Sequence, residues 1–265
     1  MVSGSVIAGY IFSGILSLLF PIAAFIYFRK KEKILVRPAL TGVLIFVVFA
    51  LVLEAALNFY LLNVNKSTAF IKTNPYYFAG YGALAAGVFE ETGRYVAFAW
   101  MLKKFRERRD ALAYGAGHGG IEMIIVGAFA CLQYIVLSGV VNSGALDGWN
   151  LPADTAQQIK VSMLGITAEM SFMMGIERVL AFFIQLALSL MVFYGVKNKK
   201  IGYFFLALLL HTAIDFVVVI GTVLKFGTFV NDLILLVFAV LAAVYIRKTK
   251  AWSSEENHHP IEIAK

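Results

Sequence analysis

Apolar residues gather into seven long runs, at about 5–28, 39–62, 77–102, 112–138, 172–196, 201–224 and 228–246, with short polar segments between them. A helix needs about 20 apolar residues to cross the roughly 30 Å hydrocarbon core of a bilayer. Each run therefore predicts a transmembrane helix, and the fold class predicted is all-α: a polytopic membrane protein built as a bundle of seven helices. Pro38 and Pro75 fall at the starts of the second and third runs, where a missing N–H costs a helix little.

The stretch 140–171 fits no span. Asn142 to Gln158, with Gly144, Gly148 and Pro152, reads as an outer loop, and Ile159 to Met170 as an interfacial helix or part of a re-entrant element. The chain is taken as one membrane domain over 1–250, followed by a polar cytoplasmic tail over 251–265. His258 and His259 in that tail read as surface residues.

Charge adds topology. Arg29, Lys30, Lys31, Lys33 and Arg37, then the basic clusters at 103–109, 197–200 and 247–265, all fall on one side of the alternation, against Lys66, Lys72, Lys160 and Lys225 on the other. Cytoplasmic loops collect Lys and Arg, so the N-terminus is expected outside and the C-terminus in the cytoplasm. The first run lacks a preceding basic residue and a polar cleavage region, which predicts a retained span rather than a signal peptide.

Composition agrees with this picture: 60% hydrophobic and 15% charged, with a mean hydropathy of +0.81, is too apolar for a soluble domain of this length. The net charge of +7 reports loop topology, and no nucleic-acid partner is expected. Cys131 is the single cysteine, so an intrachain disulfide and a thiolate metal cluster are both excluded. The expected location is a cell membrane, multi-pass, in the bacterial plasma membrane.

The chemistry sits in a few polar residues inside the runs. Glu90, Glu91 and Arg94 occupy the third, His118 and Glu122 the fourth, Gln185 the fifth, and His211 and Asp215 the sixth. Ionisable residues at such depth are costly in lipid and mark functional interiors. Counted at 1.5 Å per residue from the cytoplasmic ends, Glu90 lies at ~18 Å, His118 at ~10 Å, Glu122 and Gln185 at ~16 Å, His211 at ~15 Å and Asp215 at ~21 Å. Glu90/Arg94, His118/Glu122 and His211/Asp215 are i,i+4 pairs, each on one helix face. Matched depth and matched facing predict a polar cavity shared by four helices. There Glu90 or Glu91 can accept a proton from water, His118 and His211 can bind a metal or hydrogen-bond an oxyanion, and Asp215 can orient His211. Glycines around His118, at 115, 117, 119 and 120, leave room for close helix approach. Glu54 is expected at the cavity rim or in a structural role, and Glu177 with Arg178 as an interfacial pair.

The pattern Glu90-Glu91-x-x-Arg94, then Gly117-His118-Gly119-Gly120-x-Glu122, then His211-x-x-x-Asp215 resembles the CAAX-protease and bacteriocin-processing superfamily of intramembrane proteases, and within it the YhfC-type intramembrane metalloproteases. It is distantly similar to the gamma-secretase subunit Aph-1. The resemblance implies that Glu90 activates water, that Glu91 and Arg94 organise the site, and that His118, His211 and Asp215 support it. A metal, if bound, would be Zn held by His118, His211 and Glu90; metal-free glutamate chemistry is the other form the superfamily implies. Glu122, Gln185, Glu177 and Arg178 are accessory candidates. Two departures stand out. Arg94 is one residue closer to the glutamates than in the CAAX branch, which points away from prenyl-protein processing. The YhfC-type pattern has a histidine where this chain has Gln185, and glutamine is a poor zinc ligand.

The leading expectation is an intramembrane peptidase that acts on a membrane-protein or lipoprotein-like peptide substrate in contact with membrane lipid. A non-catalytic scaffold or chaperone like Aph-1 is the second reading. A small transporter is the third, and the absence of an obvious inverted repeat weighs against it.

Overall fold

A computed structural model describes residues 1–251. Apart from Ala251, the expected tail lies outside these residues, His258 and His259 included. Six helices are long and apolar enough to cross a membrane: Gly4–Lys31 (α1), Val36–Val64 (α2), Arg108–Ser143, Ala168–Lys197, Gly202–Val223 and Thr228–Lys248. The helix at Pro75–Val96 (α3), continued by wider turns at Ala97–Met101, lies where the third span was expected. It is not among the six because Glu90, Glu91 and Arg94 interrupt its apolar length. In chain order the remaining helices of more than two turns are α4 (Arg108–Ser143), α5 (Ala153–Leu164), α6 (Ala168–Lys197), α7 (Gly202–Val223) and α8 (Thr228–Lys248). The chain is an all-α polytopic membrane protein.

Local sequence explains the helix starts. Asn74 accepts from the Tyr76 amide at 2.9 Å, with Pro75 as the first helical residue of α3. Asp110 accepts from the Glu107 amide at 3.0 Å in a capping box that opens α4. Thr167 caps α6 by accepting from Met170 at 3.2 Å.

The bundle is organised around α6. It is buried over 67% of its most apolar stretch, against 17–22% in the other five apolar helices, because α1, α4, α7 and α8 all pack on it. Small residues set the closest crossings. A Cβ on Gly117 of α4 would lie 1.9 Å from the Ala39 carbonyl oxygen of α2, so backbone touches backbone there, as at other small-residue crossings in membranes. That contact lies one residue from His118. On the other side, α3 packs on α7, where a Cβ on Gly87 would meet Thr212 Oγ1 at 2.3 Å.

The stretch 140–171 is more helical than expected. The fourth helix runs on to Ser143 and ends at Gly144, whose φ of 75° favours glycine. The helix expected from Ile159 begins at Ala153, and α5 contributes Met163 to a small core with Val2, Val6, Tyr10 and Cys131.

Contacts at the bundle ends follow the charge alternation. Arg108 donates to Glu32 at 3.0 Å, to Thr249 Oγ1 at 2.9 Å and to the Ile246 carbonyl at 3.2 Å, so the basic segments around these residues share one end. At the other end the Val2 backbone and the Asn142 side chain exchange two hydrogen bonds.

Candidate functional site

Inside α3, the i,i+3 and i,i+4 spacings bring Glu91 and Glu90 onto the Arg94 side of the helix. All three are buried, Glu91 and Arg94 completely. Arg94 donates to Glu91 Oε1 through one terminal nitrogen and to Gln185 Oε1 of α6 through the other. Glu90 Oε2 lies 3.7 Å from the guanidinium. An unpaired charge at this depth would be strongly unfavourable, and the arrangement gives each charge a partner.

From α4, His118 projects its Nε2 to Glu90 Oε2 at 2.9 Å. Its ring is enclosed by Phe46 and Tyr114, at centroid distances of 5.3 and 5.8 Å. One turn later Glu122 presents Oε2 to the Gln185 amide at 2.7 Å, and the same amide nitrogen reaches Glu90 Oε2 at 3.1 Å. Arg178 of α6 approaches Glu122 Oε1 at 3.9 Å. From α7, His211 Nδ1 meets Glu91 Oε1 at 2.8 Å, and its Nε2 lies 3.5 Å from Asp215.

The four helices expected to share a polar level do so. Glu90, Glu122, Arg178, Gln185, His211 and Asp215 line one cavity of 340 Å³ between apolar walls that include Phe78, Ile184 and Val218. His118 stands behind Glu90 rather than on the cavity lining. Within this arrangement Glu90, His118 and Glu122 each offer a ligand atom within 4.8 Å of the other two. The sequence pattern and its resemblance put Glu90, His118 and His211 in the metal set. Glu122 takes the third place in the structural group, and His211 is turned to Glu91 and Asp215 instead.

The donor set suits a divalent metal such as zinc, which takes imidazole nitrogen and carboxylate oxygen together. Two carboxylates on different helices, Glu90 buried and Glu122 partly buried, share one amide donor and form an arrangement that a cation between them would stabilise.

Some residues take partners that sequence spacing did not indicate. Glu177 and Arg178 do not pair with each other: Arg178 faces Glu122, and Glu177 meets Asp232 of α8. Consecutive helical residues point about 100° apart, which is why neighbours in the sequence take different partners. Asp232, buried one turn into α8, was not among the sequence candidates, and its only signal was an acidic residue inside an apolar run. Glu54 is hydrogen-bonded by Asn58 at 3.2 Å, and Asn58 in turn by the Tyr81 hydroxyl, which ties α2 to α3, with none of the three on the cavity lining.

Comparison with known proteins gives two findings. A family model described as "YhfC intramembrane metalloprotease" matches residues 16–250. "Uncharacterized membrane protein YhfC" of Bacillus subtilis (strain 168) is 34% identical over 214 residues, which cover 80% of this chain and 83% of that protein. No solved structure matches.

Proposed function

The chain belongs to the YhfC intramembrane metalloprotease family, and from that premise we propose that it hydrolyses a peptide bond of a membrane-embedded protein substrate at the cavity between α3, α4, α6 and α7. It is a multi-pass protein of a bacterial plasma membrane, in keeping with its apolar helices and its Bacillus relative. We further read α3 as a seventh span, with the Arg108 end of the bundle toward the cytoplasm. The observation that carries the catalytic reading is the convergence of Glu90, His118 and Glu122 beside a polar cavity.

In this reading Glu90, His118 and Glu122 would hold the metal, which when bound supplies Lewis acidity and lowers the pKa of bound water. The remaining steps belong to the protein. Glu90 Oε2 is the oxygen turned to His118 and Gln185 and would be the one on the metal, so Oε1 is left to take a proton from water. His211 lines the same cavity; Glu91 holds its Nδ1, and Nε2, 3.5 Å from Asp215, would turn to hydrogen-bond the substrate carbonyl or protonate the departing amine. Glu91 and Arg94 hold His211 and Gln185 in register. The apolar cavity walls accept a substrate segment from lipid and limit the access of bulk water.

The test compares new protein N-termini in membranes of cells that produce the parent chain or Glu90→Ala, together with metal analysis of both purified proteins. Cleavage products confined to the parent, with zinc bound, are expected. Identical N-terminal profiles would overturn the proposal and favour a non-catalytic scaffold.

A further inference from the structure

Gln185 occupies the centre of the site although its side chain is a poor metal ligand. Arginine is only a donor, so the Gln185 atom that faces Arg94 has to be the amide oxygen. The amide NH2 is thereby turned the other way, toward Glu90 Oε2 at 3.1 Å and Glu122 Oε2 at 2.7 Å. Both acceptors belong to the group of three possible metal ligands. Space for this rotamer comes from Gly119, where an added Cβ would approach Gln185 Cβ to 3.0 Å.

We propose that Gln185 is a positioning residue that sets the separation and direction of the Glu90 and Glu122 carboxylates toward a divalent metal, with its own orientation locked by Arg94. This inference rests on the metal reading above. Because Glu91 accepts from the same guanidinium and also meets His211, one continuous chain of hydrogen bonds joins both sides of the cavity through Gln185. The amide is suited to this role. A primary amide has one acceptor and two N–H donors, matching one guanidinium and two carboxylates. A glutamate would keep the acceptor, lose both donors and add a third negative charge. A methionine would fill the volume and leave Arg94, Glu90 and Glu122 without this partner.

The experiment measures zinc affinity of the purified full-length protein by competition with a chromogenic chelator, for the parent, Gln185→Met, Gln185→Asn and Glu122→Gln. Residues that orient metal ligands typically contribute about 10- to 100-fold in affinity, and a loss of that size is expected for Gln185→Met. A smaller loss is expected for Gln185→Asn, which keeps the amide on a shorter stem. In the Glu122→Gln background, Gln185→Met should cost less than it does alone, a coupling that simple loss of packing would not produce. Parental affinity in Gln185→Met overturns the proposal, as does parental affinity in Gln185→Asn if the Met variant does not fold. A parent protein that binds no zinc overturns the metal reading itself, and the two failures are distinguished by that measurement.

Discussion

His118 of α4 and Glu90 of α3 meet Nε2 to Oε2 at 2.9 Å, with neither side chain appreciably exposed. Glu90→Gln keeps the shape and removes the charge, so it separates packing from chemistry. Cleavage of an identified substrate should fall by about 10²-fold or more, the range lost with a general base. Zinc content measured by mass spectrometry should fall as well, and retained turnover in Glu90→Gln would remove Glu90 from its proposed role.

Arg94 is the largest fully buried side chain in the described residues. Removal of one partner from a buried ion pair costs about 3–5 kcal/mol, because the other charge is left uncompensated. Arg94→Met should therefore lower the detergent-solubilised unfolding temperature sharply, and Arg94→Lys should recover little, since a single ammonium cannot reproduce the guanidinium fork to Glu91 and Gln185. The double variant Arg94→Met with Glu91→Leu should be more stable than Arg94→Met alone. Thermal unfolding of the three proteins gives the answer, and an unchanged transition in Arg94→Met would contradict the pairing.

Gly117 is fixed by contact with the Ala39 carbonyl across the α2–α4 crossing. An added methyl there meets backbone, which cannot rotate aside, so Gly117→Ala should destabilise the protein by at least about 1–3 kcal/mol, the usual cost of overpacking. Gly139, with nothing within 4 Å of an added Cβ, is the control, and Gly139→Ala should leave the unfolding transition near its parental value. Equal behaviour of the two variants would show that the crossing is not tight.

Apolar run length located the observed helices within a few residues, because a bilayer fixes helix length. Similar depth of Glu90, Glu122, Gln185 and His211, with Asp215 one turn from His211 on the same face, pointed to one polar level, and the structure assembles all five around one cavity. Depth does not tell which neighbour a helix face meets. The choice of Glu91 as the His211 partner, and of Glu122 rather than His211 beside His118, depends on helix rotation and crossing, which are set by contacts such as Gly117 on Ala39. The central place of Gln185 was hidden for a related reason: an amide acquires its role only when Arg94 and two carboxylates arrive from other helices.

Topology is open to direct measurement in a Cys131→Ser background. Lys33 and Asp154 are both exposed, and they belong to opposite ends of the bundle. A membrane-impermeant maleimide should label Asp154→Cys in intact cells and Lys33→Cys only after permeabilisation, as expected if the basic end faces the cytoplasm. The reverse pattern would invert the bundle and place the Val2 and Asn142 end inside.

Glu122 and His211 provide the sharpest division of roles, because each was given a different one by spacing and by geometry. Glu122 Oε2 belongs to the group of donor atoms within 4.8 Å of one another, whereas His211 Nδ1 is taken by Glu91 at 2.8 Å. Loss of a ligand weakens metal binding directly, while loss of a proton donor across the cavity slows the reaction and leaves binding intact. Glu122→Gln should thus reduce zinc affinity by about tenfold or more, the scale of even an indirect ligand contact. His211→Gln should keep affinity within about threefold of the parent and reduce turnover by about 10²-fold. Chelator competition and cleavage assays on the same preparations separate these effects. If His211→Gln instead loses the metal and Glu122→Gln keeps it, the ligand set is Glu90, His118 and His211, and α7 must move toward α4 when the metal binds.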